Sequence, residues 1–305
     1  MLLVIQTALE LGFLYAPVAL ALFLSFRVLD IADLTTDGCF VLGAAVSVTL
    51  TAAGHPLLAV PAAMLAGACA GSITAFLQTR LSVPSILAGI VTNTGLYTIN
   101  LMAMGWRSNE SLLGSDTVFT LLRSTGLGGD WYELVLAAAV TLLCAGLLAL
   151  FLGTRLGLSI RATGDNPDMV RSSSINPTFT TIVGLCVANA FTGLSGCLLA
   201  QSQKSVSIDI GTGMVTIALA SLLMGQVLLG KGSIFKRAMG MVVGAFAFRL
   251  VYTIALRLDM PAFMLKLVSS VIVVLAIATP YFKKQLPMLH RRMAARKEAR
   301  RYAED

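Results

Sequence analysis

The chain has 305 residues, of which 57% are hydrophobic and 12% charged, with a mean hydropathy of +0.85 and a formal net charge of +7. That composition leaves too little polar surface to cover a soluble globule of this size, whereas a bilayer solvates an apolar exterior. The apolar runs are continuous and close to the ~20 residues of a bilayer-spanning helix, which excludes a β-barrel built from alternating segments and predicts an all-α, polytopic transmembrane bundle.

About nine spans (eight to ten) are expected, near residues 5–26, 34–53, 57–78, 84–104, 131–153, 178–200, 213–230, 238–256 and 262–281. The first lacks the basic region and the small-residue cleavage site of a signal peptide, and Glu10 interrupts it, so it is expected to be retained. Lys and Arg are kept on the cytoplasmic side of a membrane protein. With the N-terminus outside and the C-terminus in the cytoplasm, sixteen basic residues fall on inner loops and tail, and only Arg107, Arg123, Lys204 and Arg257 on outer loops. The net charge follows from this bias and from the basic tail, 283–305, expected to rest on anionic lipid; it is no argument for nucleic acid. Cys39, Cys69, Cys144, Cys186 and Cys197 lie in apolar spans without paired spacing and read as small packing residues.

Arg80-Leu81-Ser82-Val83-Pro84 recurs as Arg257-Leu258-Asp259-Met260-Pro261 after 177 residues, on the opposite side of the membrane, with Gly67 and Gly244 at equivalent places in the preceding spans. This predicts an inverted repeat, with units of about 30–104 and 207–282 inside a transmembrane domain, 1–282. At nearly the same offset, Asp33 to Gly38 opens the short second span and Asp209 to Gly213 the short seventh. Broken helices at matching places in two inverted halves are where transport pathways form, since unwound backbone persists only where protein or water satisfies it.

Residues 154–177 form a polar cytoplasmic insert. Asp165 or Asn166 can cap a short helix with Pro167 in its first turn, and Asn176 can cap the next span at Pro177. The stretch Gly225 to Lys231 imitates a phosphate-binding loop, but Gly232 intervenes before Ser233 and the stretch ends an apolar span, so no ATP site is expected on this chain. Intramembrane polar residues are candidates for lining a pathway: Thr92, Asn93, Asn100, Asn189, Gln226 and Arg249, the last facing either a substrate carboxylate or an acidic side chain. Lys266 lies near a boundary and is expected to snorkel. The outer loop, 105–130, contains a short amphipathic helix candidate at Ser115 to Leu122. No His, Cys or carboxylate spacing suits catalysis or a metal, and no carboxylate is clearly placed at mid-membrane.

The run from Gly157 to Gly244 resembles the permease subunits of ABC importers of the branched-chain amino acid and ribose class, and the opening stretch from Ala8 to Gly54 is similar to that family's first spans. The shared pattern is Arg161-Ala162 to Met169, Ser172 to Asn176, Gly193 and Gly196, then Gly225 to Ser233, and it looks closest to a branch associated with tryptophan- or tyrosine-type solutes. The resemblance implies that the insert is a coupling helix docking on a cytoplasmic ATPase, a role carried onto Thr163, Gly164, Asp165, Asn166, Pro167, Asp168 and Met169. It further implies ATP and Mg on the partner ATPase, an extracytoplasmic binding protein that delivers a small solute, a second permease copy and a bacterial inner-membrane location. An ion-coupled secondary carrier and a non-transporting membrane scaffold remain the alternatives on the residues alone.

Overall fold

The computed structural model describes residues 2–124, 131–229 and 232–257, and isolated helical positions between 267 and 278. Among the described residues, seven helices are long and apolar enough to cross a membrane, and an eighth, Thr36–Ala52, is apolar but short. They match the first eight expected spans to within a few residues. The ninth expected span, Lys266, the second R-L-x-x-P segment beyond Arg257 and the basic tail lie essentially outside the described residues.

In chain order, α1 (Leu2–Leu22) continues as a π-helix over Phe23–Val28 and gives way to an irregular stretch before α2 (Thr36–Ala52). Helices α3 (Pro56–Arg80) and α4 (Ser85–Ala103) follow, each begun by proline chemistry: Pro56 opens α3, and Pro84 holds the extended backbone that precedes α4. Between α4 and α6 (Tyr132–Gly153) lie strand β1 (Asn109–Ser111) and the short helix α5 (Val118–Ser124). The polar insert folds as α7 (Arg155–Asp165) and α8 (Pro167–Ser172). The chain closes with α9 (Pro177–Gln203), strand β2 (Ser205–Ser207), a 3-10 turn at Ile208–Gly211, α10 (Met214–Leu229) and α11 (Ile234–Arg257).

Burial separates these helices. In α1 and α9, 72% of the most apolar window is inside the protein, against 28% in α4 and α6, whose outward faces carry residues such as Ile90, Val91, Leu143 and Leu150. Helix α9 is the axis of one half and packs on α3 and α2; α1 is the axis of the other and packs on α11 and α10. Close approach comes from small residues, as expected where lipid supplies no hydrophobic drive between helices. Gly196 of α9 lies directly under the Phe40 carbonyl of α2, and Gly244 of α11 under the Ser221 carbonyl of α10, so neither site has room for a Cβ. Gly67 makes the same kind of contact with the Asn189 carbonyl.

The two halves share a length pattern. Thr36 and Pro56 open α2 and α3; Met214 and Ile234, 178 residues later in each case, open α10 and α11. At 1.5 Å per residue, the 17 residues of α2 make it about 12 Å shorter than the 25-residue α3, to which a three-residue turn joins it. The 16-residue α10 falls short of the 24-residue α11 by about the same amount. Both short helices start inside the bundle, where Thr36 and Met214 are buried.

Candidate functional site

The starts of α2 and α10 meet. Asp37, in the first turn of α2, accepts hydrogen bonds from the backbone N–H of Gly213 at 3.1 Å and of Val215 at 2.9 Å, capping α10 from the other half of the chain. Gly211 lies against the Asp37 carbonyl, another contact that excludes a side chain. Just before α2, Asp33 Oδ1 accepts from Thr35 N at 2.9 Å, and its Oδ2 accepts from Asn189 Nδ2 of α9 at 2.7 Å. Thr35 and Thr74 share a hydroxyl hydrogen bond at 2.8 Å, tying the same turn to α3.

This arrangement corrects the sequence reading on carboxylates. Asp33 and Asp37 both stand at the internal opening of α2, yet both are engaged: Asp37 caps α10, and Asp33 accepts from Thr35 N and Asn189 Nδ2. Spacing along the chain hides the pairing, because Asp37 and Gly213 are 176 residues apart. The useful signal is an acidic residue at each of two broken openings, since free N–H groups at a helix start attract a carboxylate.

A cavity of about 370 Å³ lies where these openings face α4, within the size range of small-molecule sites. Asp37, Gly38 and Val41 form one wall, Asn93, Thr94, Tyr97 and Asn100 of α4 another, and Ile208, Asp209, Gly211 and Thr212 the third. Of the six polar candidates, Asn93 and Asn100 line it. Asn100 Nδ2 donates to the Gly38 carbonyl at 3.1 Å, while its Oδ1 is buried without a partner. Thr92 is also buried on α4 with an unpartnered hydroxyl, but it is outside the cavity wall. Asn189 is committed to Asp33 and to the Leu185 carbonyl, and Gln226 is half-buried near the far end of α10. The structure brings neither to the cavity.

Arg249 is 5% exposed in α11, and its guanidinium carbon lies 3.8 Å from the Tyr15 ring centre and 4.9 Å from that of Tyr252. No carboxylate pairs with it among the described residues, where the one ion pair joins Arg107 and Glu110. The acidic partner considered from sequence is replaced by two aromatic faces, which attract a cation through the ring quadrupole. Tyr15 in turn stacks on Phe40 of α2, with ring centres 6.0 Å apart.

The insert holds two helices where the sequence predicts one. Asn166 Oδ1 caps α8 through Asp168 N at 3.1 Å and Met169 N at 3.0 Å, with Pro167 in the first turn, and Asn176 caps α9 in the same way. The added helix, α7, is amphipathic and capped by Thr154; it buries Gly157, Ile160 and Thr163. The seven residues assigned to coupling therefore divide. Thr163 shares a 2.7 Å hydroxyl hydrogen bond with Thr180 of α9, and Gly164 is pressed on the Val28 carbonyl at the end of the first span. Asp165, Asn166, Pro167, Asp168 and Met169 are exposed, Met169 by 61% despite its apolar side chain.

On the other face, β1 pairs antiparallel with β2, matching Glu110 with Val206, and Ile208 N donates to the Ser108 carbonyl at 2.8 Å. The ribbon joins the loop after α4 to the turn that forms the third cavity wall, and three-residue strands leave no hydropathy signature from which to predict it. The helix expected at Ser115 to Leu122 is present as α5, with Thr117 Oγ accepting from Thr120 N. Gln201, a residue the sequence reading passed over, accepts from Val118 N at 2.8 Å through Oε1 and reaches Ser47 and Pro56 through Nε2.

The family described as branched-chain amino acid transport system / permease component matches residues 4–277. This chain belongs to that permease family. A tyrosine transport system permease protein of Clostridioides difficile is 32% identical over 262 residues, covering 86% of each chain. An uncharacterized protein of Rickettsia prowazekii is 29% identical over 90% of this chain and 97% of its own. The autoinducer 2 import system permease protein of Salmonella paratyphi B is 30% identical over 75% of this chain and 63% of its own. No solved structure matches the chain significantly. The permease is a multi-pass membrane transport subunit, and transport subunits of this family are not enzymes. Permeases of this kind work with an ATPase and a binding protein.

Proposed function

We propose that the permease forms, as a pair of identical copies, the pathway of an ATP-driven importer in the bacterial inner membrane, with its N-terminus outside and C-terminus in the cytoplasm. The observation that carries this reading is the junction of the α2 and α10 openings at a cavity, with Asp37 bridging them. The equal offsets of the short helices and the reciprocal packing of α9 on α2 and α3 and of α1 on α10 and α11 support two inverted units. In such a design one unit rocks against the other around a fixed site. The named solutes of two relatives favour a small polar compound, and the tyrosine permease favours an amino acid.

ATP and Mg act on the partner ATPase, and the exposed tip from Asp165 to Met169 is its dock. A physical route leads inward from there. Gly164 touches Val28, and Gly184 of α9 touches Leu29, so α7 and α9 grip the π-helical end of the first span just before the Asp33 turn that opens α2. A shift of α7 would displace the segment whose far end positions Asp37.

The test is co-purification of the permease with the ATPase encoded beside it, comparing wild type with Asp165→Arg plus Met169→Arg. A monodisperse variant that no longer retains the ATPase supports the dock. Equal retention overturns it, and a wild type that binds no ATPase overturns the importer reading itself.

A further inference from the structure

Two membrane-spanning helices are equally exposed but differ in what they expose. In both α4 and α6, 28% of the most apolar window is inside the protein, yet α4 is the least hydropathic of the seven long helices among the described residues and α6 the most. The outward face of α6 carries Val135, Leu142, Leu143, Leu147 and Leu150, a surface that acyl chains solvate. Helix α4 instead exposes Thr94, Gly95, Tyr97 and Thr98 halfway along, Thr94 being the tenth of its nineteen residues. The Thr94 hydroxyl donates to the Ile90 carbonyl, and the Thr98 hydroxyl has no partner among the described residues. By the helical repeat, Leu87, Val91, Thr94, Thr98 and Met102 fall on one outward stripe, polar in the middle and apolar towards both ends.

The mouth of the cavity lies at the edge of that stripe. Thr94 and Tyr97 are exposed and also line the cavity, whose walls include Asn93, Asp37, Asp209 and Thr212. Polar groups of this number cannot face hydrocarbon at mid-span, where nothing offers them a hydrogen bond. The mouth needs a cover, and depth decides which. The ATPase and the binding protein of the importer reading lie on the two sides of the membrane, and neither reaches the middle of a span. The component at that level is the second copy of the permease.

We infer that two copies meet along the Leu87 to Met102 stripe of α4, each closing the cavity mouth of the other. The inference rests on the permease reading and adds to it the surface at which the copies join. Both copies cross the membrane in the same sense, so the two-fold axis stands along the membrane normal and the two α4 helices run parallel, each stripe against its counterpart. A Cβ at Gly95 meets nothing within 4 Å in the single copy, and the two threonines are small. Such residues let membrane helices approach closely and exchange hydroxyl hydrogen bonds where lipid supplies no hydrophobic drive. The two cavities then face one shared space, while the apolar face of α6 stays in lipid.

The experiment expresses the full-length permease beside its ATPase as two differently tagged copies, with Cys69→Ser and Cys186→Ser removing the more accessible native thiols. Thr98→Cys, Gly95→Cys and, as the control, Leu143→Cys are oxidised in the membrane with copper phenanthroline. All three replace exposed or open positions by a small side chain, so the fold is kept. Disulfide-linked product carrying both tags is expected from Thr98→Cys, Gly95→Cys or both at no less than ten times the yield from Leu143→Cys. A yield at both positions no higher than the control overturns the inference, as does a product in which one tag is joined to a different protein. The native mass of the solubilised complex separates the two readings: two permease copies without the α4 cross-link remove this seam alone, and a single copy removes the pairing of copies as well.

Discussion

The half built on α9 and the half built on α1 have the same short-then-long pairing, but they are held together differently. In the first, α9 meets α2, α3 and the stretch before α2 through buried polar contacts, Asn189 to Asp33 and Gln201 to Ser47 and Pro56, while Thr35 and Thr74 tie the α2 opening to α3. In the second, α1 meets α11 mainly through apolar packing, with Arg249 lying between two tyrosine rings. A hydrogen-bonded interface has a defined register, because slipping it leaves buried groups unpaired. Aromatic faces tolerate small displacements of the cation above them. The difference predicts a more tightly registered interface in the α9 half than in the α1 half.

Four substitutions and one control test that contrast. The largest effect is expected from Gly196→Leu, which drives a side chain into the Phe40 backbone and should cost about 3 kcal/mol or more, with loss of the monodisperse peak in size-exclusion chromatography. Gly146→Leu is its control, since nothing lies within 4 Å of a Cβ there, and it should elute as wild type. Next is Asn189→Ala. It removes one of the two partners of the Asp33 carboxylate and should cost about 2 kcal/mol, seen as a lower melting temperature in detergent.

Asp37→Ala uncaps α10 and should cost about 1 to 2 kcal/mol, with faster hydrogen exchange at Gly213 and Val215 than elsewhere in α10. Equal protection in the variant would break the link between the halves at this point. The smallest effect is expected at Arg249→Met. The buried cation has no carboxylate partner, so an apolar chain of similar length gives up about 1 to 2 kcal/mol of cation–π attraction and recovers much of it by avoiding charge burial. A melting temperature lower than that of Asn189→Ala would reverse that order of effects.

The sequence carried much of this architecture. Apolar runs of bilayer length located eight helices, because each span must satisfy its own backbone and so writes its length into the hydropathy. Pro167 and Pro177, each preceded by Asn, marked the starts of α8 and α9, because capping is local chemistry within three residues. The two broken openings were also legible as short, irregular spans with acidic residues.

Tertiary structure decided what those pieces do together. That Asp37 caps α10, that Asn189 serves Asp33 and not the cavity, and that Arg249 faces tyrosines are contacts between residues far apart in the chain, which no local pattern encodes. Helix α7 was missed because a short amphipathic helix at a membrane boundary resembles a polar loop in composition; what distinguishes it is the packing of Thr163 and Gly164 on α9 and Val28. Hydropathy and caps are properties of neighbouring residues and can be read along the chain. A cavity and its charge are properties of surfaces brought together from both halves, and only the fold assembles them.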